Sequence, residues 1–372
     1  MTMLLDEPAI AQRILDHIDH ETTDVSDRTW REPVANYRSE ARLQAELERV
    51  FRRTPTPFCP SVALAKPGDF VSREAAGIPI VAVRGADGVV RAFRNACRHR
   101  GAQVACGSGH GAGFVCPYHG WTYGLDGALR HVPHEYGFPG LDKETRGLVP
   151  VHAFEHGGLV FVSQDAPASA RDLTTPDELL PPGFQVISTN EQESKANWKI
   201  VAEGFMEGYH IFSTHRDTFY PVQFDNLNVI EAFGRNSRIT FPYRNIQKLR
   251  GVDPAERHVG GTLTFVYHLF PNVIIATFPQ RIVMAVLEPI AIDRTRTVNY
   301  TLAATKVMAT DRPAVERDAD FVSAGAREDR AVVESIQQSI ASGANAFFEF
   351  GLFEGAIAHF HHNLHALLGE VE

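Results

Sequence analysis

The spacing of apolar positions near the start of the chain predicts two amphipathic helices. Isoleucines recur at every fourth residue between 9 and about 19, at Ile10, Ile14 and Ile18. Pro8 lies in what would be the first helical turn, where proline is tolerated. A second stripe with helical spacing is formed by Leu43, Leu47, Val50 and Phe51. Each stripe predicts a helix that buries one face.

From about residue 70 to 162 the pattern changes to short β-prone runs separated by glycines. Asp87-Gly88 lies between two such runs, and Asp126-Gly127 follows a third. An Asp-Gly pair in either position favours a tight hairpin turn. This segment is therefore predicted to be a compact antiparallel β module.

The rest of the chain alternates between helical and β-prone patterns. A polar, proline-bearing stretch at roughly 166–183 is typical of a linker. A helical segment is predicted at 197–215, strands at about 227–305, and a mainly helical part from 314 to about 368. A chain of 372 residues is long enough for two domains that each bury a core.

Composition and charge limit the kinds of partner. Apolar residues make up 44% and charged residues 22%, as in an ordinary globular protein. The net charge of −9 argues against a general nucleic-acid binder, which needs a concentrated basic surface. The chain contains no run of about eighteen apolar residues, and its start lacks the basic-then-apolar order of a secretory signal. We therefore expect a cytoplasmic protein, bound neither to membrane nor to nucleic acid.

Two short motifs in the β module carry candidate metal ligands. Cys97 and His99 form C-x-H, and Cys116 and His119 form C-x-x-H. Two thiolates with two imidazoles also suit zinc. Zinc-finger pairs, however, usually group the two cysteines together and the two histidines together. The mixed order favours a Rieske [2Fe-2S] cluster, in which the cysteines hold one iron and the histidines hold the other.

The stretches CRHRGAQ and CPYHGWTYGLDG resemble the Rieske motif of ring-hydroxylating and related non-haem iron oxygenases. The resemblance implies a terminal oxygenase that takes electrons from NAD(P)H through a separate reductase, with or without a ferredoxin, because the chain shows no nucleotide-binding fingerprint. It also implies O₂ and a small organic substrate as partners. The other two cysteines, Cys59 and Cys106, are then expected to be buried apolar residues.

A Rieske cluster transfers single electrons, so a second centre is expected further along the chain. His210 and His215 lie in a segment that resembles the family's mononuclear Fe(II) site. Residues five apart point about 140° away from each other on a regular helix, so the pair can meet one ion only if the helix bulges or ends between them. Asn197, at the head of the segment, is a further candidate catalytic residue.

The third ligand is predicted to be Asp329. Non-haem iron that activates O₂ is commonly held by two histidines and one carboxylate. Asp329 precedes Val333 by four residues and Ile336 by seven, which places a carboxylate on an apolar helical stripe. Glu328 is expected to point elsewhere, as is Glu334.

Glu207 is predicted to connect the two centres. It precedes His210 by three residues, on the same predicted helix, and could accept the second N–H of that ligand. Glu203, four residues earlier on the same face, is predicted to support it structurally. In the resembling oxygenases an acid at the position of Glu207 links the iron of one subunit to a Rieske histidine of the next, here His119, within a homotrimer. Glutamate rather than the usual aspartate resembles the branch that oxidises quaternary amines.

Together these patterns predict an α+β protein. A helical segment over 1–55 packs with the catalytic domain, an antiparallel Rieske domain covers 56–165, and a catalytic mononuclear iron domain with a helix-covered antiparallel sheet covers 166–372. The favoured activity is hydroxylation or demethylation of a quaternary amine or betaine. The alternatives are a ring hydroxylase or demethylase of the same family, and a Rieske electron carrier without oxygenase activity.

Overall fold

A computed structural model of the chain describes residues 4–176 and 178–369. The ends of the predicted first and last domains, residues 1–3 and 370–372, lie outside the described residues, as does residue 177. No helix in the described ranges combines the length and the apolar character needed to cross a bilayer.

The described chain divides into two compact units. The first combines residues 1–50 with 183–372, and the second contains residues 51–182. The predicted boundaries lie a few residues after 50 and well before 182. The assignment of the units as functional domains stays a prediction.

The first 50 residues contain the two predicted helices. Their elements are α1 Glu7–His20, β1 Trp30–Pro33 and α2 Glu40–Ala45, after which the chain continues as a π-helical stretch, Glu46–Phe51. Ile10 and Ile14 are fully buried, and Asp6 caps the start of α1 by accepting from the backbone N–H of Ala9. All four residues of the second stripe are also buried.

The strands of the second unit pair antiparallel, as predicted for this segment. Its strands are β2 Thr56–Pro60, β3 Asp69–Ala75, β4 Ile78–Arg84, β5 Val90–Arg94, β6 Ser108–His110, β7 Gly113–Val115, β8 Thr122–Gly124, β9 Leu129–His131, β10 Pro150–His156 and β11 Leu159–Ser163. Among the described residues of this unit, seven strands pair in the order β2-β11-β10-β5-β4-β3-β6, and β7, β8 and β9 form a smaller sheet.

Both predicted hairpins are confirmed. The turn between β4 and β5 contains Gly88 with a φ of +80°, and the turn between β8 and β9 contains Gly127 with a φ of +81°. Glycine is required twice over at 127, because a Cβ there would lie 2.4 Å from the ring of Phe93. These turns determine how the strands that border the candidate cluster loops pair with one another.

The first unit continues after residue 183 with a sheet and its covering helices. Its further strands are β12 Phe184–Ser194, β13 Ile230–Phe233, β14 Asn236–Pro242, β15 Leu263–Leu269, β16 Val273–Thr277, β17 Arg281–Ala291, β18 Arg294–Ala304 and β19 Phe347–Phe350. Its further helices are α3 Trp198–Glu203, α4 Ile211–Thr214, α5 Thr305–Thr310, α6 Arg312–Ser339 and α7 Gly355–Leu368. In the described part of this unit, seven strands pair antiparallel in the order β12-β18-β17-β16-β15-β14-β13.

The C-terminal part is helical except for β19, which the apolar pattern did not predict. This strand pairs with β1, more than 300 residues away in sequence, from Trp30 opposite Phe350 to Pro33 opposite Phe347. A four-residue strand that forms only by pairing with a distant segment has no local periodicity to reveal it.

Helix α3 is held by a buried ion pair. All six residues of α3 are buried, including Lys199. The Lys199 ammonium lies 2.8 and 3.1 Å from the two carboxylate oxygens of Glu46, which also accepts from the Trp198 indole at 2.8 Å. Because each buried charge has a charged partner, the pair avoids the large cost of an isolated buried ion. The helix is therefore fixed just before the chain enters the candidate iron site.

Candidate metal centres

The two halves of the C-x-H and C-x-x-H pattern fold into matched loops. The backbone N–H of Gly101 donates to the carbonyl of Cys97 at 2.8 Å, and that of Gly120 donates to the carbonyl of Cys116 at 3.0 Å. Gly101 and Gly120 have φ values of +82° and +75°, a region that disfavours other residues. The Cys-x₃-Gly spacing in both halves therefore produces the same closed turn, with its histidine inside the loop.

The four predicted cluster ligands lie in positions that fit a Rieske cluster. The two cysteines are buried, at 4% and 2% exposure. The Nδ1 atoms of His99 and His119 lie 3.1 Å apart at the solvent side of the loops. Two nitrogens that each bind one ion at about 2 Å lie about 3 Å apart, so both can share a single iron. The donor set therefore matches a buried thiolate-bound iron and an outer imidazole-bound iron.

Tyr123 is a contact of this centre that sequence reasoning missed. Its side chain is fully buried, and its hydroxyl lies 3.2 Å from Cys97 Sγ and accepts the backbone N–H of Arg98 at 2.9 Å. Burial, and next the hydrogen bond with Cys97, raise the pKa of Tyr123, so the phenol stays a neutral donor. A donor to a cluster sulfur is one of the means by which proteins adjust a cluster's potential.

The two remaining cysteines differ from each other. Cys59 is buried as predicted, and burial raises the pKa of its thiol to about 12. Cys106 is exposed, so its predicted burial is wrong. It lies in a loop just before β6, where no apolar periodicity indicated which way the side chain points.

The regular helix ends before the histidine pair, as the i, i+5 spacing requires. Helix α3 stops at Glu203, and His210 and His215 flank the single turn of α4 as its N- and C-caps. The intervening stretch contains Gly208, where a Cβ would lie 2.4 Å from Asn228 Oδ1. Only glycine allows this close passage, which brings both imidazoles to the same side.

His210, His215 and Asp329 converge on one point. His215 Nε2 lies 2.9 Å from Asp329 Oδ1, and His210 Nε2 lies 3.7 Å from the same oxygen. All three offer one donor atom within 4.8 Å of the others. Two imidazoles and one carboxylate on one side of a point match the donor set of non-haem Fe(II) sites, which leaves other positions open.

Each histidine is oriented by a second carboxylate. The Nδ1–H of His210 donates to Glu207 Oε1, and the Nδ1–H of His215 donates to Glu328 Oε2 at 2.7 Å. Thr218 Oγ1 also donates to Glu328 at 2.6 Å. Such partners fix the tautomer, so that each Nε2 faces the metal position. The prediction that Glu328 points elsewhere is wrong, because α6 lies close enough to α4 for Glu328 and Asp329 to reach the same histidine.

Glu207 lies in the break between α3 and α4 rather than on a helix. Besides His210 Nδ1, it accepts the backbone N–H groups of Tyr209 and His210. Burial lowers the pKa of His210, but the hydrogen bond and charge of Glu207, followed by Asp329, outweigh it and give a net rise. Glu207 therefore holds both the ring and the backbone of His210.

Two cavities meet at the candidate iron position. The larger cavity has a volume of about 430 Å³, and three glutamates, Glu203, Glu207 and Glu354, are among its lining residues. Burial, and next the negative charges of Glu207 and Glu203, raise the pKa of Glu354 to about 7. The smaller, about 100 Å³, touches all three candidate ligands. We call it the inner chamber. Its remaining wall is mainly apolar and includes Phe219, Phe241, Val266, Phe278 and Val322.

Gln223 is one of two polar residues, with Thr264, in the remaining wall of the inner chamber. It is 5% exposed and hydrogen-bonds Tyr243, whose hydroxyl lies 2.9 Å from Thr264 Oγ1. Its Oε1 is buried and has no hydrogen-bond partner among the described residues. The wall of the chamber therefore includes a buried glutamine whose carbonyl oxygen is unpaired among the described residues, a feature that no motif in the sequence indicated.

The ring of Phe219 depends on a glycine in the facing helix. A Cβ at Gly325 in α6 would lie 2.1 Å from Phe219 Cζ. Without that side chain, the ring packs at 4.5 Å centroid distance from His215 and at 4.8 Å from Phe321. Gly325 thus lets α6 approach α4 one turn before Asp329.

Asn197 and Glu203 are both buried. Asn197 is fully buried, caps α3 by accepting from Lys199 N, and donates to the carbonyl of Ile292 at 2.8 Å. These contacts are structural and do not support a catalytic role, which stays an untested prediction. Glu203 accepts from Tyr37 at 2.6 Å and lies 2.9 Å from His361 Nε2, and no contact with Glu207 is recorded among the described residues.

The chain matches two family models. Residues 183–370 match the ring-hydroxylating alpha subunit catalytic domain, and residues 54–142 match the Rieske [2Fe-2S] domain. The first match alone covers about half of the chain, and the two together place the cysteine–histidine loops and the iron triad in separate matched regions.

Similar proteins include oxygenase subunits of carnitine monooxygenases. That of Acinetobacter baumannii is 32% identical over 241 residues, and the match covers 58% of this chain and 62% of the relative. The chain thus spans less than two thirds of that relative. The subunit of Escherichia coli K12 is 28% identical over 367 residues, covering 90% of this chain and 93% of the relative.

A solved structure shares the fold. The quaternary ammonium Rieske monooxygenase CntA in complex with L-carnitine superposes with a TM-score of 0.75 at 24% identity, covering 92% of this chain and 96% of that one. The α+β fold class predicted from the sequence is confirmed.

Proposed function

The chain belongs to the ring-hydroxylating alpha-subunit family of Rieske oxygenases, and on that basis we propose that it is a terminal oxygenase that inserts oxygen from O₂ into a small quaternary amine or betaine. The observation that carries the proposal is the presence of two complete donor sets in one chain. One set suits a [2Fe-2S] cluster, and the other suits an O₂-activating iron. A pure electron carrier needs only the first set.

The residues divide the work between two centres. Cys97, Cys116, His99 and His119 would hold the cluster, and His210, His215 and Asp329 would hold Fe(II). The cluster supplies single electrons, and the iron supplies the activation of O₂. Glu207 and Glu328 keep the two imidazoles oriented through their Nδ1–H groups.

The inner chamber favours a small cationic head group. Its lining includes the aromatic side chains of Phe219, Phe241 and Phe278 and the buried Gln223, and aromatic rings attract a quaternary ammonium. Together with the adjoining cavity of about 430 Å³, the chamber of about 100 Å³ has room for a whole betaine, within the roughly 300–1,000 Å³ of ordinary ligand pockets. Glutamate at 207 and the names of the similar carnitine monooxygenases agree with this choice.

A substrate panel tests the proposal. Reduced, iron-loaded protein is mixed with quaternary amines, betaines and aromatic acids while the mononuclear iron is followed spectroscopically and O₂ uptake is measured. We expect quaternary amines and betaines to perturb the iron signal and to increase O₂ uptake with formation of an oxygenated or demethylated product. A response to aromatic acids alone would overturn the substrate class. Two irons per chain and no product with any compound would favour the electron carrier.

The assembly we propose is a cytoplasmic homotrimer served by a separate reductase. None of the four cysteines forms a disulfide, which suits a reducing compartment. The imidazole edge of the cluster loops is flanked by exposed apolar side chains, Tyr118 at 54% and Val115 at 60%, which suits contact with another protein surface. Within a trimer, Glu207 would form a hydrogen-bonded bridge between His119 of the partner subunit and His210, which would bring the two metal centres within reach for electron transfer.

Glu207→Gln is expected to uncouple the two centres without removing either metal. The amide keeps the size of the side chain and one acceptor oxygen, but it loses the negative charge and can no longer accept from both the backbone N–H groups and the Nδ1–H of His210. We expect iron content and visible absorption to stay normal, while cluster reoxidation in a single turnover with substrate and O₂ slows by roughly 10–100-fold, as for other partners of metal ligands.

The control for this variant is Glu316→Gln, which changes an exposed acid on α6. It should reoxidise at the wild-type rate. Reoxidation of the Glu207→Gln cluster at that same rate would show that electrons reach the iron by another route.

A further inference from the structure

A second set of two histidines and one carboxylate is formed by residues from the early and late parts of the same unit. Glu32 is in β1, and His361 and His365 are in α7. The histidines are four residues apart, so they lie one above the other on the same face of the helix. Neither family membership nor the proposed oxygenase reaction uses this group.

The donor atoms are spaced as in the candidate iron site. Glu32 Oε2 lies 3.0 Å from His365 Nε2 and 3.5 Å from His361 Nδ1. The corresponding carboxylate–imidazole distances at Asp329 are 2.9 and 3.7 Å. Ligands about 2 Å from a tetrahedral ion are about 3.3 Å apart, so one ion could contact all three atoms after small adjustments.

One donor of this group has no other use. His361 is fully buried, and its Nδ1 has no hydrogen-bond partner within the described residues, although it faces Glu32. A buried ring nitrogen without a partner is costly in a folded protein. A metal ion bound to this nitrogen would remove that cost.

The surrounding contacts resemble those of established metal ligands. His361 Nε2 lies 2.9 Å from Glu203 Oε1, which gives the carboxylate–histidine arrangement that orients a ligand imidazole. Glu32 accepts from the Trp30 indole at 3.1 Å and from Asn36 Nδ2 at 2.7 Å. These contacts fix the position of the fully buried carboxylate.

We propose that Glu32, His361 and His365 bind one divalent transition-metal ion, with Zn²⁺ as the best match. Two imidazoles and one carboxylate are a common zinc donor set, and the side chain of His365 is 35% exposed, which leaves access for a water as fourth ligand. The ion joins β1 to α7 and so connects the two ends of the chain within one unit. Through His361 it also fixes Glu203, which lines the larger cavity.

The test measures zinc separately from iron. Asp329→Ala protein, in which the iron site is disabled, is depleted of zinc and titrated with zinc sulfate against a chromophoric chelator, and its thermal midpoint is recorded at each step. We expect one zinc per chain and a rise in the midpoint, because binding stabilises only the folded state. Asp329→Ala protein that binds no zinc would overturn the proposal.

His365→Gln, made in the Asp329→Ala background, separates metal binding from ion pairing. The amide can still donate to Glu32, so the fold is kept, but it is a poor zinc ligand. We expect zinc affinity to fall by more than the roughly 10–100-fold typical of losing an outer partner. His362→Ala, which changes an exposed histidine on the same helix, should bind zinc like its parent. Unchanged zinc affinity in His365→Gln would show that the group is a network of ion pairs only.

Discussion

Asp329→Ala is expected to give a protein that keeps its cluster and loses its mononuclear iron. The variant removes the only carboxylate of the triad and leaves two imidazoles, which form an incomplete site for Fe(II). Iron content should fall from near three to near two per chain, with unchanged visible absorption. Product formation should fall by more than about 100-fold, because loss of a ligand exceeds the 10–100-fold effect of its partners.

Two further variants make this result specific. Asp320→Ala changes an exposed acid on the same helix and should retain all three irons. Glu328→Ala removes the partner of His215 but no ligand, so its iron affinity should fall only partly. Iron content near three per chain in Asp329→Ala would mean that the third ligand is another residue.

Cys97→Ser is expected to abolish the visible absorption of the [2Fe-2S] cluster. The thiol is 4% exposed and lies 3.2 Å from the Tyr123 hydroxyl, and the serine hydroxyl that replaces it is a much harder and weaker ligand for this iron than a thiolate. Product formation should stop as well, since electrons can no longer reach the iron. The measurement is the visible spectrum of freshly purified protein together with its acid-labile sulfide.

The chain contains a matched control for this variant. Cys106→Ser replaces an exposed free cysteine nine residues away and should leave the spectrum intact. His119→Ala should lose the cluster like Cys97→Ser, because it removes one of only two imidazole donors. A normal cluster spectrum in Cys97→Ser would contradict the proposed ligand set.

Local motifs explain why so much of the cluster site was predictable. The four cluster ligands lie within two short loops, so their spacing in the sequence determines most of their geometry. The same holds for the two hairpins, since Asp-Gly pairs specify their own turns. Tyr123 escaped prediction because its contact with Cys97 joins residues 26 apart in sequence, a tertiary contact that no motif encodes.

The second site was predictable in its ligands but not in its surroundings. The i, i+5 spacing of His210 and His215 required a break in the helix, and the structure has one. The role of Glu328 depends on how closely α6 approaches α4. This distance belongs to the tertiary structure, and the apolar spacing along one helix does not predict it. Glu207 was expected on a helix and lies in the break, because Gly204 and Gly208 weaken the helix on both sides of it.

The close contact between Gly325 and Phe219 has a consequence for redesigning substrate range. Phe219 is at once a wall of the inner chamber and a support for the His215 ring. Smaller residues at 219 would enlarge the chamber, but we expect them also to lower the affinity for iron because the His215 ring loses its support. Larger residues at 325 would displace the Phe219 ring. A substitution at residue 219 or 325 is thus expected to change both the range of substrates accepted and the affinity for iron. Phe241 and Phe278 also line the chamber, and among the described residues their rings do not pack on His210 or His215. We expect substitutions there to reshape the chamber without lowering the affinity for iron.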